Sequence, residues 1–142
     1  MKSLLSVTLS LLAAIFVAAA ETPDPETLQN KIQISLGERL FVSFQRNGDA
    51  LSAPELSQKV GNKPDSLSLR FERIDDMALL VTKNPFGETL RFRALAKVKG
   101  SSTYFETSIL PISAKLSSYE SWQDDIETLI LFDFSLSKEL DQ

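Results

Sequence analysis

Apolar and polar residues alternate along most of this chain, and one stretch departs from the alternation. Thr128–Leu136 reads T-L-I-L-F-D-F-S-L, with Leu129 and Leu131 on one face and Ile130, Phe132, Phe134 and Leu136 on the other. A strand apolar on both faces needs cover on both. It is therefore expected in the middle of a sheet, with the other strands arranged to bury it.

Going back along the chain, Ile32, Ile34 and Leu36 alternate with polar residues and predict a first strand, broken at Gly37. Leu40, Val42 and Phe44 predict a second over 38–46, with Phe41 on the opposite face. Asn47-Gly48-Asp49 is a turn signal, since Asn and Gly tolerate positive φ. Ser52–Pro64 lacks periodicity and is expected to be an irregular loop with one helical turn, the longest in the chain and a place where function is often carried. Ser66–Ile74 and Met77–Lys83, separated by Asp75-Asp76, predict a β-hairpin. Asn84-Pro85-Phe86-Gly87 is a turn in which Pro85 presets φ and Gly87 permits a left-handed exit. Glu88–Lys99 alternates most cleanly: Leu90, Phe92, Ala94, Ala96 and Val98 against Thr89, Arg91, Arg93, Leu95, Lys97 and Lys99. Gly100-Ser101-Ser102 turns the chain back. Thr103–Leu116 is expected to be extended, with Pro111 marking an edge, a bulge or a change of sheet. Ser117–Glu127 is expected to be a polar link.

About seven strands, with turns every eight to twelve residues and no sustained helical period, predict an all-β fold. The expected form is an antiparallel β-sandwich of immunoglobulin-like size, with a small β-barrel as the alternative. The expected division is a signal peptide at 1–20, a flexible leader at 21–30, the sandwich at 31–137 and a tail at 138–142. The signal reading rests on positive Met1-Lys2, the uncharged apolar run Leu4–Val17, and Ala18-Ala19-Ala20 before Glu21. That run is shorter than the roughly 20 apolar residues a spanning helix needs. Export to the periplasm, or otherwise secretion, is expected, with no stable membrane span after cleavage.

Charge and composition then narrow the chemistry. With Lys2 removed, 14 Lys+Arg face 19 Asp+Glu, a net charge of −5. This argues against nucleic acid or an anionic membrane as the main partner. The chain has no Cys, so thiol catalysis and thiolate metal sites are excluded. It has no His either, which excludes imidazole-activated nucleophiles, His-ligated metals and a histidine pH switch. No G-x-S-x-G, S-x-x-K or phosphate-binding glycine loop occurs in the mature chain. Neither Asp75-Asp76 nor Asp124-Asp125 with Glu127 has calcium-loop spacing, and both are expected to be turn and cap residues. No catalytic residue, metal or cofactor is expected.

The remaining candidates are contact residues. Arg91, Arg93, Lys97 and Lys99 form a basic stripe, suited to an anionic partner or to cross-strand pairing with acids such as Glu72 or Glu106. Tyr119 and Trp122 are suited to stacking or to plugging one end of the core. Phe86, at a turn tip, is either a contact anchor or a hairpin plug.

Asn84–Ala94 (N-P-F-G-E-T-L-R-F-R-A) through Tyr119–Phe134 (Y-E-S-W-Q-D-D-I-E-T-L-I-L-F-D-F) resembles a group of small exported proteins of Gram-negative bacteria with no assigned function. The shared features are an Asn-Pro turn before a strand, a Pro in the next strand, and an aromatic-Glu-x-Trp link into the last strand. The resemblance spans about half the mature chain and implies a compartment and a sandwich fold, with no catalytic residues. The expected function is non-enzymatic binding of an envelope or secreted protein through Phe86, Arg91, Arg93, Tyr119 and Trp122. The alternatives are a carbohydrate- or calcium-binding module and an edge-strand assembly or chaperone-like subunit. Oligomeric state is left open.

Overall fold

The computed structural model describes residues 22–59 and 65–138; the signal segment expected at 1–20 lies outside the described residues. A 3-10 turn at Pro25–Thr27 precedes nine strands: β1 (Ile32–Ser35), β2 (Arg39–Asn47), β3 (Ala50–Ser57), β4 (Leu67–Ile74), β5 (Met77–Lys83), β6 (Thr89–Val98), β7 (Tyr104–Thr107), β8 (Ser117–Trp122) and β9 (Ile126–Ser137). All pairings are antiparallel. The sheet runs β7-β6-β9-β3-β2-β4-β5-β8, with β1 also on β9, and it curls into a half-barrel.

The expected all-β class is what the chain forms. The expected seven strands are nine, and hydrogen bonding joins them in one curled sheet. Both additions come from stretches expected to be irregular. Ala50–Ser57 is strand β3, so only the end of the expected Ser52–Pro64 loop is left over, with 60–64 outside the described residues. Ser117–Trp122 is strand β8 rather than a polar link. Its serines hid it from a reading based on apolar periodicity, while pairing with β5 through Ala78–Lys83 makes it regular. Pro111 lies between β7 and β8, beside an isolated bridge from Ile112 to Leu90.

Thr128–Leu136 does sit inside the sheet. β6 lies along one side of β9, with β1 and then β3 along the other. Its two faces are not divided as strict alternation predicts. Arg93 lies opposite Phe132 and Arg91 opposite Ser135, so Phe92 faces two residues, Asp133 and Phe134. This is a β-bulge, and Asp133 takes the left-handed φ of 60°. The extra residue shifts the phase. Phe134 and Leu136 join Leu129 and Leu131 in the main core, while Ile130 and Phe132 remain outside with Leu95. A second bulge lies on β3, where Phe44 faces Ala53 and Pro54, and Ala53 has φ 49°. A third adds Glu127 between the pairs Lys97–Thr128 and Val98–Ile126. Bulges bend a strand and raise its local twist, and these three account for the curl.

The main core lies within the curl and draws on both walls, including Val42, Leu69, Phe71 and Leu80 from one and Phe92, Ala96, Leu131 and Phe134 from the other. The outer cluster of Leu95, Ile130 and Phe132 is covered by Tyr104 and by Leu28 of the 22–30 segment. That segment, expected to be a flexible leader, is seated on the sheet. Asp24 Oδ1 accepts from Glu26 N at 3.0 Å, and Asn30 Oδ1 accepts from the Ala53 N–H at 3.0 Å, meeting the β3 bulge. The cover needed on the second face of β9 thus comes from a connecting segment.

Candidate functional site

The basic stripe on β6 is mostly engaged within the protein. The Arg93 guanidinium makes two 2.8 Å hydrogen bonds to Glu106 on β7, lies 4.0 Å from Asp133 and stacks 4.9 Å from the Phe132 ring centroid. The hydrogen bond from Arg93 holds the Glu106 carboxyl below the ordinary carboxylate range, and the same bond raises Arg93. Lys97 pairs with Glu127, and Arg91 Nε reaches Ser137 Oγ at 3.3 Å. The cross-strand partner Glu106 is the one the sequence suggested; Glu72 instead lies beside Arg70, 3.3 Å away.

Trp122 is half-buried. Its Nε1 donates to Thr107 Oγ1 at 2.8 Å, and its ring meets Phe71 edge-on at 6.4 Å. It joins the two terminal strands of the ladder, β8 and β7, across the open side of the half-barrel. Tyr119, three residues earlier, faces outward and is 68% exposed. Of the five expected contact residues, Arg91 and Arg93 share the β6 outer face. Phe86, Tyr119 and Trp122 are elsewhere and apart.

Tyr119 ends a row that the register draws across four strands: Tyr119 opposite Val81, Val81 opposite Arg70, Arg70 opposite Arg39. The adjacent row holds Lys83 and Phe41. Val81 and Phe41 are half-buried, and the Arg39 guanidinium lies 5.3 Å from the Phe41 centroid. The outer wall of β8-β5-β4-β2 is therefore a mixed apolar and charged surface, with Glu72 paired to Arg70 within it. Arg39, Arg70 and Lys83 escaped the sequence reading because each is a lone cation on the outward face of its own strand. Only the register gathers them.

Among the described residues two hollows flank the core. One, of about 460 Å³, opens where the β2–β3 hairpin approaches the Asn84–Gly87 turn. Phe44, Leu51 and Phe86 give it apolar walls, and Arg46, Lys115 and Asp65 give it polar ones. Asn84, fully buried, fastens the turn whose Pro85, Phe86 and Gly87 form one side. Its Nδ2 donates to the carbonyls of Glu88 (2.9 Å), Ile112 (3.0 Å) and Ser113 (3.2 Å), and its Oδ1 accepts from Phe86 N (2.8 Å). The sequence marks Asn84 as a turn residue; nothing local marks it as the clamp between three segments. The second hollow, of about 390 Å³, lies at the Asp133 bulge between Leu28, Asn30, Arg93 and Phe132.

The acidic loops do not gather. Asp125 pairs with Arg73, Glu127 with Lys97, and among the described residues no group of three or more acidic side chains is placed to hold a metal. Among the described residues no helix is long and apolar enough to cross a membrane. No family model, curated protein or solved structure matches this chain.

Proposed function

We propose that this is an exported, non-enzymatic binding protein of the periplasm that holds an envelope protein through the outer wall of β8-β5-β4-β2. Export rests on the charged, apolar and small-residue order of 1–20. The absence of His and Cys leaves no imidazole or thiolate to activate a nucleophile. The observation that carries the binding reading is the row Tyr119–Val81–Arg70–Arg39. An exposed Tyr sharing a face with arginines across a half-buried Val is the composition enriched where interfaces concentrate their energy. The opposite outer face, on β6 and β9, is already occupied by Leu28 and Tyr104. Within this reading the fold works as a β-sandwich. The single pair Ala50–Ser135 links β9 to β3, which supports treating β7-β6-β9-β1 and β3-β2-β4-β5-β8 as two layers.

The test is capture from periplasmic extract by the purified mature chain, alongside a variant carrying Arg39→Glu, Arg70→Glu and Tyr119→Ser. A partner retained by the wild type and lost by the variant, with the variant's melt unchanged, is the expected outcome. Equal capture by both, or none above an unrelated β protein, sinks the proposal.

A second reading, as an edge-strand assembly subunit, draws on β8 itself. It pairs with β5 in unbroken register over six residues and carries no Pro, Lys or bulge to guard its other edge. A concentration-independent monomer on size-exclusion chromatography disfavours self-assembly through it.

A further inference from the structure

The hollow at the Asn84–Gly87 turn goes unused in a protein that binds only through its outer wall. We infer that it is a small-molecule site for an amphipathic anion, a short apolar or aromatic chain ending in one carboxylate.

Its apolar side rests on the core. Phe44 stacks on Phe134 with centroids 5.0 Å apart, Phe134 on Phe92 at 5.1 Å, and Leu51 is buried beside them. A ligand's apolar body placed on Phe44, Leu51 and Phe86 would extend this aromatic run. The volume lies within the 300–1,000 Å³ typical of small-ligand sites.

The site is preformed on one side. The four hydrogen bonds of Asn84 lock the Pro85-Phe86-Gly87 turn against Ile112 and Ser113, so Phe86 does not have to be ordered by the ligand. Lys115 N–H donates to the Phe86 carbonyl at 3.1 Å, tying the opposite bank to the same turn.

The charge selects the ligand. Arg46 is matched by Glu88 at 2.7 Å. Among the described residues no carboxylate pairs with Lys115, Asp65 on the same rim included, and its ammonium donates to the neutral carbonyl of Pro85. Lys115 also holds the left-handed φ of 62°, where a side chain costs about 1 kcal/mol relative to glycine. A lysine kept in that conformation at the edge of an apolar hollow is a backbone outlier that points to function. A carboxylate would supply the missing counter-charge and replace the weaker bond to Pro85. Asp65 on the rim works against a second negative charge, which limits the ligand to a monoanion.

The test uses octanoate and its cationic counterpart octyltrimethylammonium, titrated into the isotope-labelled mature chain and followed by amide chemical shifts. Octanoate is expected to shift Phe44, Arg46, Leu51, Phe86, Gly87 and Lys115 in a saturable manner, with the ammonium compound weaker. Lys115→Gln, at an exposed position, is expected to fold normally and to weaken octanoate by roughly tenfold or more, as for loss of one charge-assisted contact. Arg91→Gln, outside the hollow, is expected to leave binding unchanged. The assignment is overturned by linear, unsaturable shifts, or by shifts centred on Leu28 and Phe132 at the other hollow. It is equally overturned by octyltrimethylammonium binding as tightly as octanoate, or by Lys115→Gln binding at wild-type affinity. None of these outcomes bears on capture through the outer wall, so the two proposals fail separately.

Discussion

Asn84 shows how much a single buried amide can organise. Its side chain satisfies three carbonyls and one N–H from segments up to 29 residues away. Asn84→Ala would strip the Phe86 N–H of its acceptor and unfasten the turn from carbonyls of which Ile112 and Ser113 keep backbone donors, Leu90 N–H at 2.9 Å and Leu116 N–H at 3.1 Å. A buried group stripped of its partner costs about 1–3 kcal/mol. The expected loss is about 1–3 kcal/mol by urea denaturation, the scale of one buried group left unpaired. A change below about 0.5 kcal/mol, the size of an ordinary surface substitution, would show that the amide is not the clamp described. The dipeptide Asn-Pro was legible as a turn because both preferences are local. The clamp was not, because its acceptors Ile112 and Ser113 arrive from a distant segment.

Strand β9 carries the lesson at the level of the element. Its centrality was legible from apolar residues on both faces. The allocation of those residues was not, since period two assigns Phe134 to the face of Ile130 and Phe132, and one extra residue reverses everything after it. Asp133 is a residue type that tolerates the left-handed conformation the bulge requires. Asp133→Gly is therefore expected to be near neutral, while Asp133→Val is expected to cost roughly 1–2 kcal/mol from backbone strain. Deleting Asp133 is the sharper experiment. It removes the bulge while plain alternation keeps Phe134 opposite Phe92 and both Phe134 and Leu136 facing inward, so only the bend is lost, and the expected outcome is a cooperative transition at a lower temperature. A deletion variant that melts like the wild type would remove the bulge from the account of the fold. The missed strands β3 and β8 have a related cause. Pro54 and the serines at 117, 118 and 121 are weak strand formers, and it is the ladders to β2 and β5 that make these stretches regular.

For the whole molecule, the question is what covers each outer surface. Leu28 lies over Leu95, Ile130 and Phe132, and Asn30 caps the β3 bulge. A chain beginning at Lys31 would uncover this patch. It is expected to lose about 1–2 kcal/mol, the scale of one partly buried aliphatic side chain and one hydrogen bond, and to gain binding of a hydrophobic dye. Unchanged stability and dye binding would show that residues 22–30 do not serve as cover. Among the described residues no such segment lies over the wall on β8-β5-β4-β2, where Tyr119 is left to meet solvent or a partner beside the Arg70–Glu72 pair and the Arg39–Phe41 contact.

The order of side chains along the chain was enough to determine an all-β antiparallel protein with a doubly apolar strand near its end, because alternation, turn chemistry and charge are properties of neighbours. The same order excluded imidazole and thiol chemistry outright. Tertiary structure alone decided that nine strands curl into one half-barrel, that Phe134 faces inward, that Arg93 is paired with Glu106 while Arg39 and Arg70 join Tyr119, and that Asn84 fastens one side of a hollow. Each of these depends on which residues lie opposite one another across a ladder. That pairing is settled by packing between segments far apart in the chain, and no local pattern encodes it.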